Sequence, residues 1–239
     1  MKHYFLILFA ISYLLSFSQE TKKKSPFSGN FDLGMNFTKN IESTFQLNNV
    51  FVVNYKKGKS NFNIANNIAL ISKTGEEELL NKGTQDFKYS YDAKKLNTNL
   101  SLQHLYDISR SIKSRFTTGL GLSYNFINKE RNNLQLGLSA LREKNTPLEG
   151  DVELQNRLST NFDLAFKINK SVNISLTNHY QPNIEEAGDF RWKSNVSFRI
   201  SLSPKFMLSI NSTYNYDSVP AEGIPESDYQ FINSISYTF

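Results

Sequence analysis

From Ser28 to the C-terminus the chain repeats one pattern: a run of strict apolar/polar alternation, then a turn, with no helical period of useful length between. Alternation at period two places successive side chains on opposite faces of a strand. The first run sets Phe31, Leu33, Met35 and Phe37 against Asn30, Asp32 and Asn36. Later runs carry sets such as Phe51, Val53 and Tyr55; Leu120, Leu122 and Tyr124; Phe198, Ile200 and Leu202. Twelve such runs can be read, an even number, and no domain boundary or low-complexity linker interrupts them. The expected fold is all-β: one antiparallel up-and-down barrel over residues 28–239.

Alternation alone does not say which face is outside. A soluble secreted calyx that binds lipid would turn its apolar set inward, whereas a membrane barrel turns it to lipid. Three features favour lipid. The apolar side chains, many of them aromatic, are too numerous to pack inside a single twelve-stranded barrel at normal density. Only Arg142, at a strand end, is read as a charge in phase with that face. A lysine or arginine at the bilayer midplane costs about 2–4 kcal/mol, falling to about 0–1 at the rims. The aromatic residues also sort by depth. Tyr106, Tyr180, Phe190, Trp192, Tyr214, Tyr216 and Tyr229 gather toward one end, and Tyr55, Tyr89, Tyr91, Tyr124, Phe126, Phe206, Tyr237 and Phe239 toward the other. Two aromatic girdles flanking an aliphatic band are what the two lipid–water interfaces select.

Connections alternate in length. Short turns are read at Lys56–Lys59, Ala93–Lys95, Asn128–Asn132, Asn169–Ser171 and Ser203–Lys205. The intervening connections, Lys73–Gly83, Glu143–Asp151, Asn183–Asp189 and Ser218–Ser227, are longer and more acidic. Short periplasmic turns and long outer loops are the outer-membrane arrangement. Hydrophobic residues make up only 39% of the chain, but a membrane barrel needs apolar side chains at every second strand position alone.

The N-terminus reads as an address. Lys2 and His3 precede a fourteen-residue apolar run, Tyr4–Phe17, too short to span a bilayer, and Ser16-Phe17-Ser18 places small residues before Gln19. Residues 1–18 are expected to be a signal peptide, residues 19–27 a periplasmic tail, and the mature chain a resident of the outer membrane of a Gram-negative envelope. No cysteine follows, which excludes a lipoprotein anchor, a disulfide framework, a Cys-ligated metal and a thiol nucleophile. The net charge of +5 is spread along the chain and does not imply nucleic acid.

Near the C-terminus stands Tyr216-Asp217-Ser218-Val219-Pro220-Ala221-Glu222-Gly223, followed by Asp228 and a closing Tyr237-Thr238-Phe239. This Tyr-x-Ser-x-Pro-x-x-Gly pattern, with its later Asp and terminal aromatic strand, resembles the YdiY-like family of salt-induced outer-membrane proteins, classed as a domain of unknown function. Weaker echoes are Tyr55-Lys56-Lys57-Gly58, Gly119-x-Gly121 before Tyr124, and Gln181-Pro182-Asn183. The resemblance implies location and fold, with no established activity to carry over. Tyr237 and Phe239 also resemble the terminal signal read by the barrel-assembly machinery, an expected partner beside the outer-membrane lipids. Physically, Ser218–Ser227 reads as an outer loop, with Pro220 and Pro225 lowering its entropy and Gly223 permitting a conformation other residues resist.

Polar-face residues supply the candidate site. Lys88, Arg115, Arg157, Lys167, Arg191, Lys193 and Arg199 face inward against Asp32, Asp86, Glu153 and Asp163. A narrow lumen lined this way would favour small anions, because low-dielectric walls focus the potential; alternatively the charges pair and plug it. Catalytic, cofactor and metal residues are not expected. His104 lies in the lipid-facing register near the outer rim, where a phospholipase-like site would need a serine in register and an amide to orient the imidazole. Tyr106 takes the position two residues on, and Ser194 or Ser212 would need an unknown pairing to approach, so His104 reads as an interfacial side chain. His179 faces the lumen without a spaced carboxylate partner, and Glu76–Glu78 and Glu185-Glu186 lack the spacing of a calcium loop. The expected function is a non-enzymatic outer-membrane barrel, a narrow anion-preferring pore or an envelope-integrity protein. The competing expectations are a lipid-active barrel enzyme near His104 and the soluble calyx.

Overall fold

Each of the twelve alternating runs is a strand in the computed structural model, which describes residues 25–39, 43–73 and 80–239. The strands are β1 (Phe27–Lys39), β2 (Ser43–Lys57), β3 (Ser60–Lys73), β4 (Leu80–Ala93), β5 (Leu96–Asp107), β6 (Ile112–Asn128), β7 (Asn132–Pro147), β8 (Glu153–Lys167), β9 (Val172–Pro182), β10 (Phe190–Ser201), β11 (Phe206–Asp217) and β12 (Ser227–Thr238). A short 3₁₀ turn, Ile108–Arg110, links β5 to β6. Every strand pairs antiparallel with its chain neighbours, and β1 pairs with β12 to close the barrel. The expected signal peptide, most of the tail and Glu76–Glu78 lie outside the described residues.

The register keeps like faces together. Phe31 sits opposite Phe51, Leu100 opposite Leu120, Leu164 opposite Leu176, and Ile200 opposite Leu208. A slip by one residue would invert every such pair, so the outward apolar set itself holds the register. Two-residue turns fit the twist of the strands at Gly58-Lys59, where Gly58 has φ +61°, and at Lys94-Lys95, where Lys94 has φ 69°.

Burial is inverted relative to a water-soluble fold. On β12, Phe231 is 55% and Ile235 47% exposed, while Ser234 and Ser236 between and beside them are 7% and 0%. Among the described residues the buried apolar side chains are only Ala69 and Ile112, whereas Asp32, Asn125, Glu143, Arg157 and Ser209 are buried. A calyx would show the opposite. Parts of each girdle are linked ring to ring: Phe27, Tyr55, Phe62 and Tyr89 touch in series at 4.7, 6.1 and 5.0 Å at the turn end. At the loop end Tyr180, Phe190 and Tyr216 do so at 5.5 and 5.4 Å.

Two boundaries differ from the alternation reading. β4 begins at Leu80, so Gly83 is a strand residue, and β7 runs on to Pro147 through four polar or charged residues that resemble a loop. The β7 extension puts Lys144 beside Arg142 as a second outward charge, opposite Leu154, and turns Glu143 into the lumen. Both outward cations lie near the strand end, where the rim tolerates them.

Closure is uneven. β1 pairs with β2 over its whole length, but with β12 only from Asn30↔Thr238 to Leu33↔Ile235. The last residue extends that seam: Gly29 and Phe239 exchange both backbone hydrogen bonds, at 3.0 and 3.1 Å. The Phe239 ring lies 6.3 Å from Tyr237 and 6.4 Å from Phe51. The terminal aromatic pair is thus part of the closing seam.

Candidate functional site at the loop end of the lumen

The pleat builds the site. Phe190 and Tyr216 point outward into the girdle, so Arg191 and Asp217, one residue on, point inward and face each other across the β10–β11 ladder. Arg191 donates from Nε to Asp217 at 3.2 Å and from Nη1 to Glu143 of β7 at 2.7 Å. Arg115 of β6 approaches the same Glu143 oxygen at 3.4 Å, while Thr117 donates to its other oxygen at 3.4 Å. Glu143 is 3% exposed and holds two guanidinium groups from strands on either side of it. A buried carboxylate is tolerated when its charge and lone pairs are met in this way.

Arg157 of β8 is 1% exposed and fully committed. It donates to Asp189 at 2.6 Å, to the Gln181 carbonyl at 3.0 Å and twice to Gln155. Asp189 lies in the connection before β10. Burial pushes its carboxyl up, but the hydrogen bonds from Arg157 and Asn183 outweigh this and hold it below the usual carboxylate range. Arg157 therefore anchors a loop and is not a free charge on the wall.

The longest reach belongs to Arg110. It stands in the turn between β5 and β6, half the ring away from β12, yet Nη1 meets Asp228 of β12 at 2.8 Å. Nη2 also donates to the Pro225 carbonyl at 3.3 Å. Between this bridge and the arginine cluster lies a cavity of about 220 Å³, bordered by Arg110, Arg115, Arg157, Arg191, Glu153 and Pro220.

The C-terminal motif builds the β11–β12 connection that closes over this cavity. Ser218 accepts from the Phe190 amide and donates to the Gly188 carbonyl, both at 2.8 Å, tying two loops together. Tyr216 donates to Glu226 at 2.9 Å, Gly223 turns the chain at φ +78°, and Asp228 accepts from Asn215 at 2.8 Å as well as from Arg110. Pro220 lines the cavity. The motif places a loop across the mouth.

Below the mouth the lumen wall is open to solvent at several positions. Inward-facing Asn67, Lys88, Ala165, Lys167 and Lys193 are exposed inside the barrel wall. Arg199, 36% exposed, comes within 3.8 Å of Asp32 and leaves its Nε without a partner among the described residues. His179 donates from Nδ1 to Asn161 Oδ1 at 2.6 Å and is a wall residue. Of the charges expected to line a basic lumen, then, Arg115, Arg157 and Arg191 are consumed at the mouth. Lys88, Lys167, Lys193 and Arg199 remain toward the interior. The alternation reading assigned Glu143 to a connection and placed neither Arg110 nor Asp217 on the lumen wall. Glu143 was findable, since it continues the inward odd-numbered phase of β7.

The pairing also surrounds His104, on the outer wall. Its Nε2 lies 3.1 Å from Ser114 Oγ of β6 and its Nδ1 lies 2.7 Å from Gln85 Oε1 of β4. Ser194 and Ser212, on β10 and β11, are far around the ring. Tyr106 does not intervene: a Cβ at Gly83 would meet its ring at 2.6 Å, so the tyrosine lies over β4.

The sequence profile described as "Protein of unknown function, DUF481" matches residues 31–239. No curated protein matches the chain. Among solved structures, the NanC porin aligns with a TM-score of 0.50 at 10% identity, covering 89% of this chain and 97% of that one. The KdgM porin in complex with disordered oligogalacturonate aligns at 0.48 and 9% identity, covering 89% and 99%. An anion-selective porin from Comamonas acidovorans aligns at 0.44 and 11% identity, covering 89% and 98%. The likeness to NanC is one of fold.

Proposed function

Because the chain belongs to the DUF481 family of proteins of unknown function, with which its resemblance to the YdiY-like proteins agrees, we propose a role from the geometry of the barrel: a narrow outer-membrane pore, constricted at its loop end, that prefers small anions. The observation that carries this reading is the Arg110–Asp228 bridge, which joins opposite sides of the ring at 2.8 Å. Side chains exposed in the section below it argue for an aqueous path rather than a filled core. In that section Lys88, Lys167, Lys193 and Arg199 outnumber Asp32, Asp86 and Asp163, and low-dielectric walls focus their field on a passing ion.

The loop end faces the cell exterior in this reading, after export by a signal peptide cleaved behind Ser18. The Tyr237–Phe239 strand, which closes the seam, is the segment offered to the assembly machinery. Purified barrel in a planar bilayer should give a small conductance with a reversal potential shifted toward the anion. Equal permeability to both ions removes the anion preference. Silence from both the native barrel and Arg110→Ala removes the pore, and leaves a barrel that serves the envelope as a structural element.

A further inference from the structure

We infer that the outer wall carries a second, hydrolytic site, in which Ser114 is the nucleophile, His104 the general base and Gln85 a positioning residue, acting on the acyl ester of a membrane lipid. Four outward polar side chains from four consecutive strands form one hydrogen-bonded line. Ser114 Oγ meets His104 Nε2 at 3.1 Å, His104 Nδ1 meets Gln85 Oε1 at 2.7 Å, and Gln85 Nε2 donates to Asn66 Oδ1 at 3.2 Å. The direction is set from the far end. With the Gln85 NH₂ given to Asn66, its carbonyl oxygen faces the ring, so Nδ1 carries the proton and Nε2 keeps its lone pair for the serine hydroxyl. That is the tautomer a general base requires.

Placement selects the substrate. Ser114 is the third residue of β6, at the loop-end rim; Phe116, two residues on, is 46% exposed, and Leu102 and Leu120, further along the same lipid face, are 36% and 68% exposed. An ester at the base of a lipid headgroup lies at that depth, with its acyl chain along the aliphatic band. The backbone is also irregular here. β5 and β6 pair at Leu105↔Arg115 and resume at Asp107↔Ile112, and β6 and β7 skip Lys113 between Ser114↔Thr146 and Ile112↔Pro147. Lys113 belongs to neither ladder and its side chain is exposed. Bulges of this kind re-aim side chains beside active sites, and the ammonium suits a headgroup phosphate.

The step balances without a co-reactant other than water. Ser114 Oγ bonds to the ester carbonyl carbon as its proton passes to His104 Nε2; the carbon–oxygen bond to the lipid alcohol breaks, and that alcohol takes the proton from Nε2. Water then attacks the acyl-serine, giving its proton to Nε2; the fatty acid departs and Ser114 recovers the proton.

The test uses the full-length barrel in lipid vesicles with a long-chain fluorophosphonate, read by peptide mass. One adduct on Ser114 is expected, slowed about 100-fold or more in His104→Ala. The adduct should also slow in Gln85→Ala and recover in Gln85→Glu, which keeps an acceptor for the Nδ1–H; a merely structural Gln85 would leave the rate unchanged in Gln85→Ala. Fatty acid should be released from phosphatidylethanolamine vesicles or from vesicles containing lipopolysaccharide, which separates the two sources of acyl ester, and Ser114→Ala should stop it. Heat-modifiable mobility confirms that each variant is a folded barrel. No adduct on Ser114, an adduct formed equally fast in His104→Ala, or an adduct with no release from either vesicle overturns the proposal.

Discussion

At the loop end inward guanidinium groups reach across the lumen at hydrogen-bond distance, whereas toward the turn end short polar side chains bond along the wall and Arg199 comes no nearer than 3.8 Å to Asp32. Arg110 spans from the β5–β6 turn to β12, and Arg191 spans from β10 to β7. Lower down, Asn63 bonds Asn54, Gln103 bonds Asp86, Gln135 bonds Asn125, and Ser209 bonds Ser236, each between adjacent strands. Side-chain length explains much of the difference. A guanidinium on its long stem can cross part of a twelve-stranded lumen and grip a carboxylate with two donors, but a serine or asparagine cannot. One end is therefore closed by charge pairs and the other left open by short amides.

This contrast can be broken most forcefully at Arg191. Its removal leaves Glu143 and Asp217, 3% and 14% exposed, short of a partner. Arg191→Ala should lower stability to urea in vesicles by about 3 kcal/mol, and should raise single-channel conductance more than any other single change at the mouth. Unchanged stability would mean that water already shares the network.

Next in size is the cross-ring bridge. Arg110 and Asp228 are 14% and 32% exposed, so a double-mutant cycle should find no more than about 1 kcal/mol of coupling. Conductance should nonetheless rise in Arg110→Ala, since the bridge bars the mouth whatever its energy. A rise equal to that of Lys193→Ala would dissolve the distinction between mouth and mid-barrel.

A third effect is pH-dependent. The folded Asp189 carboxyl titrates below its unfolded counterpart. Its contribution to stability is fully present above the unfolded value and is lost as pH falls through the folded one. Asp189→Asn should lower the urea midpoint at neutral pH and flatten this part of the acid limb. An unaltered limb would assign the acid sensitivity to other carboxylates.

The smallest effect belongs to the open section. Lys88→Gln with Lys193→Gln should move the reversal potential toward zero while leaving stability within about 0.5 kcal/mol. The same pair of changes should not alter conductance as Arg191→Ala does. If neutralising Arg157 shifts selectivity as strongly, its enclosure by Asp189 and Gln155 is not the working state.

Much of this was legible in the residues. Period-two alternation located all twelve strands, because a strand at an oil–water boundary must turn every second side chain the same way. Where the alternation ran through charged residues it stopped being readable. Asn132–Pro147 continues through Arg142, Glu143 and Lys144, and a sequence of that composition looks like a loop although its pleat is intact. Glu143, which meets Arg115 and Arg191 at the mouth, was missed for that reason, and the lumen looked more basic than it is. The motif from Tyr216 to Asp228 was recognised as a loop, but its reach across the ring to Arg110 was not visible, since the partner lies 118 residues away.

His104 shows the limit most sharply. Its outward phase and its depth near the rim follow from position in the strand alone. Which serine and which amide stand beside it depends on how β4, β5 and β6 align, and that register includes a bulge at Lys113 that no periodicity announces. The amino-acid order by itself determined a barrel, its lipid face and its inward charges, because those depend on each residue's own strand and on the solvent around it. Only the tertiary structure decided which charges pair across the mouth and which hydroxyl meets the imidazole. Those contacts join residues distant in sequence, and their partners are chosen by strand register and ring closure.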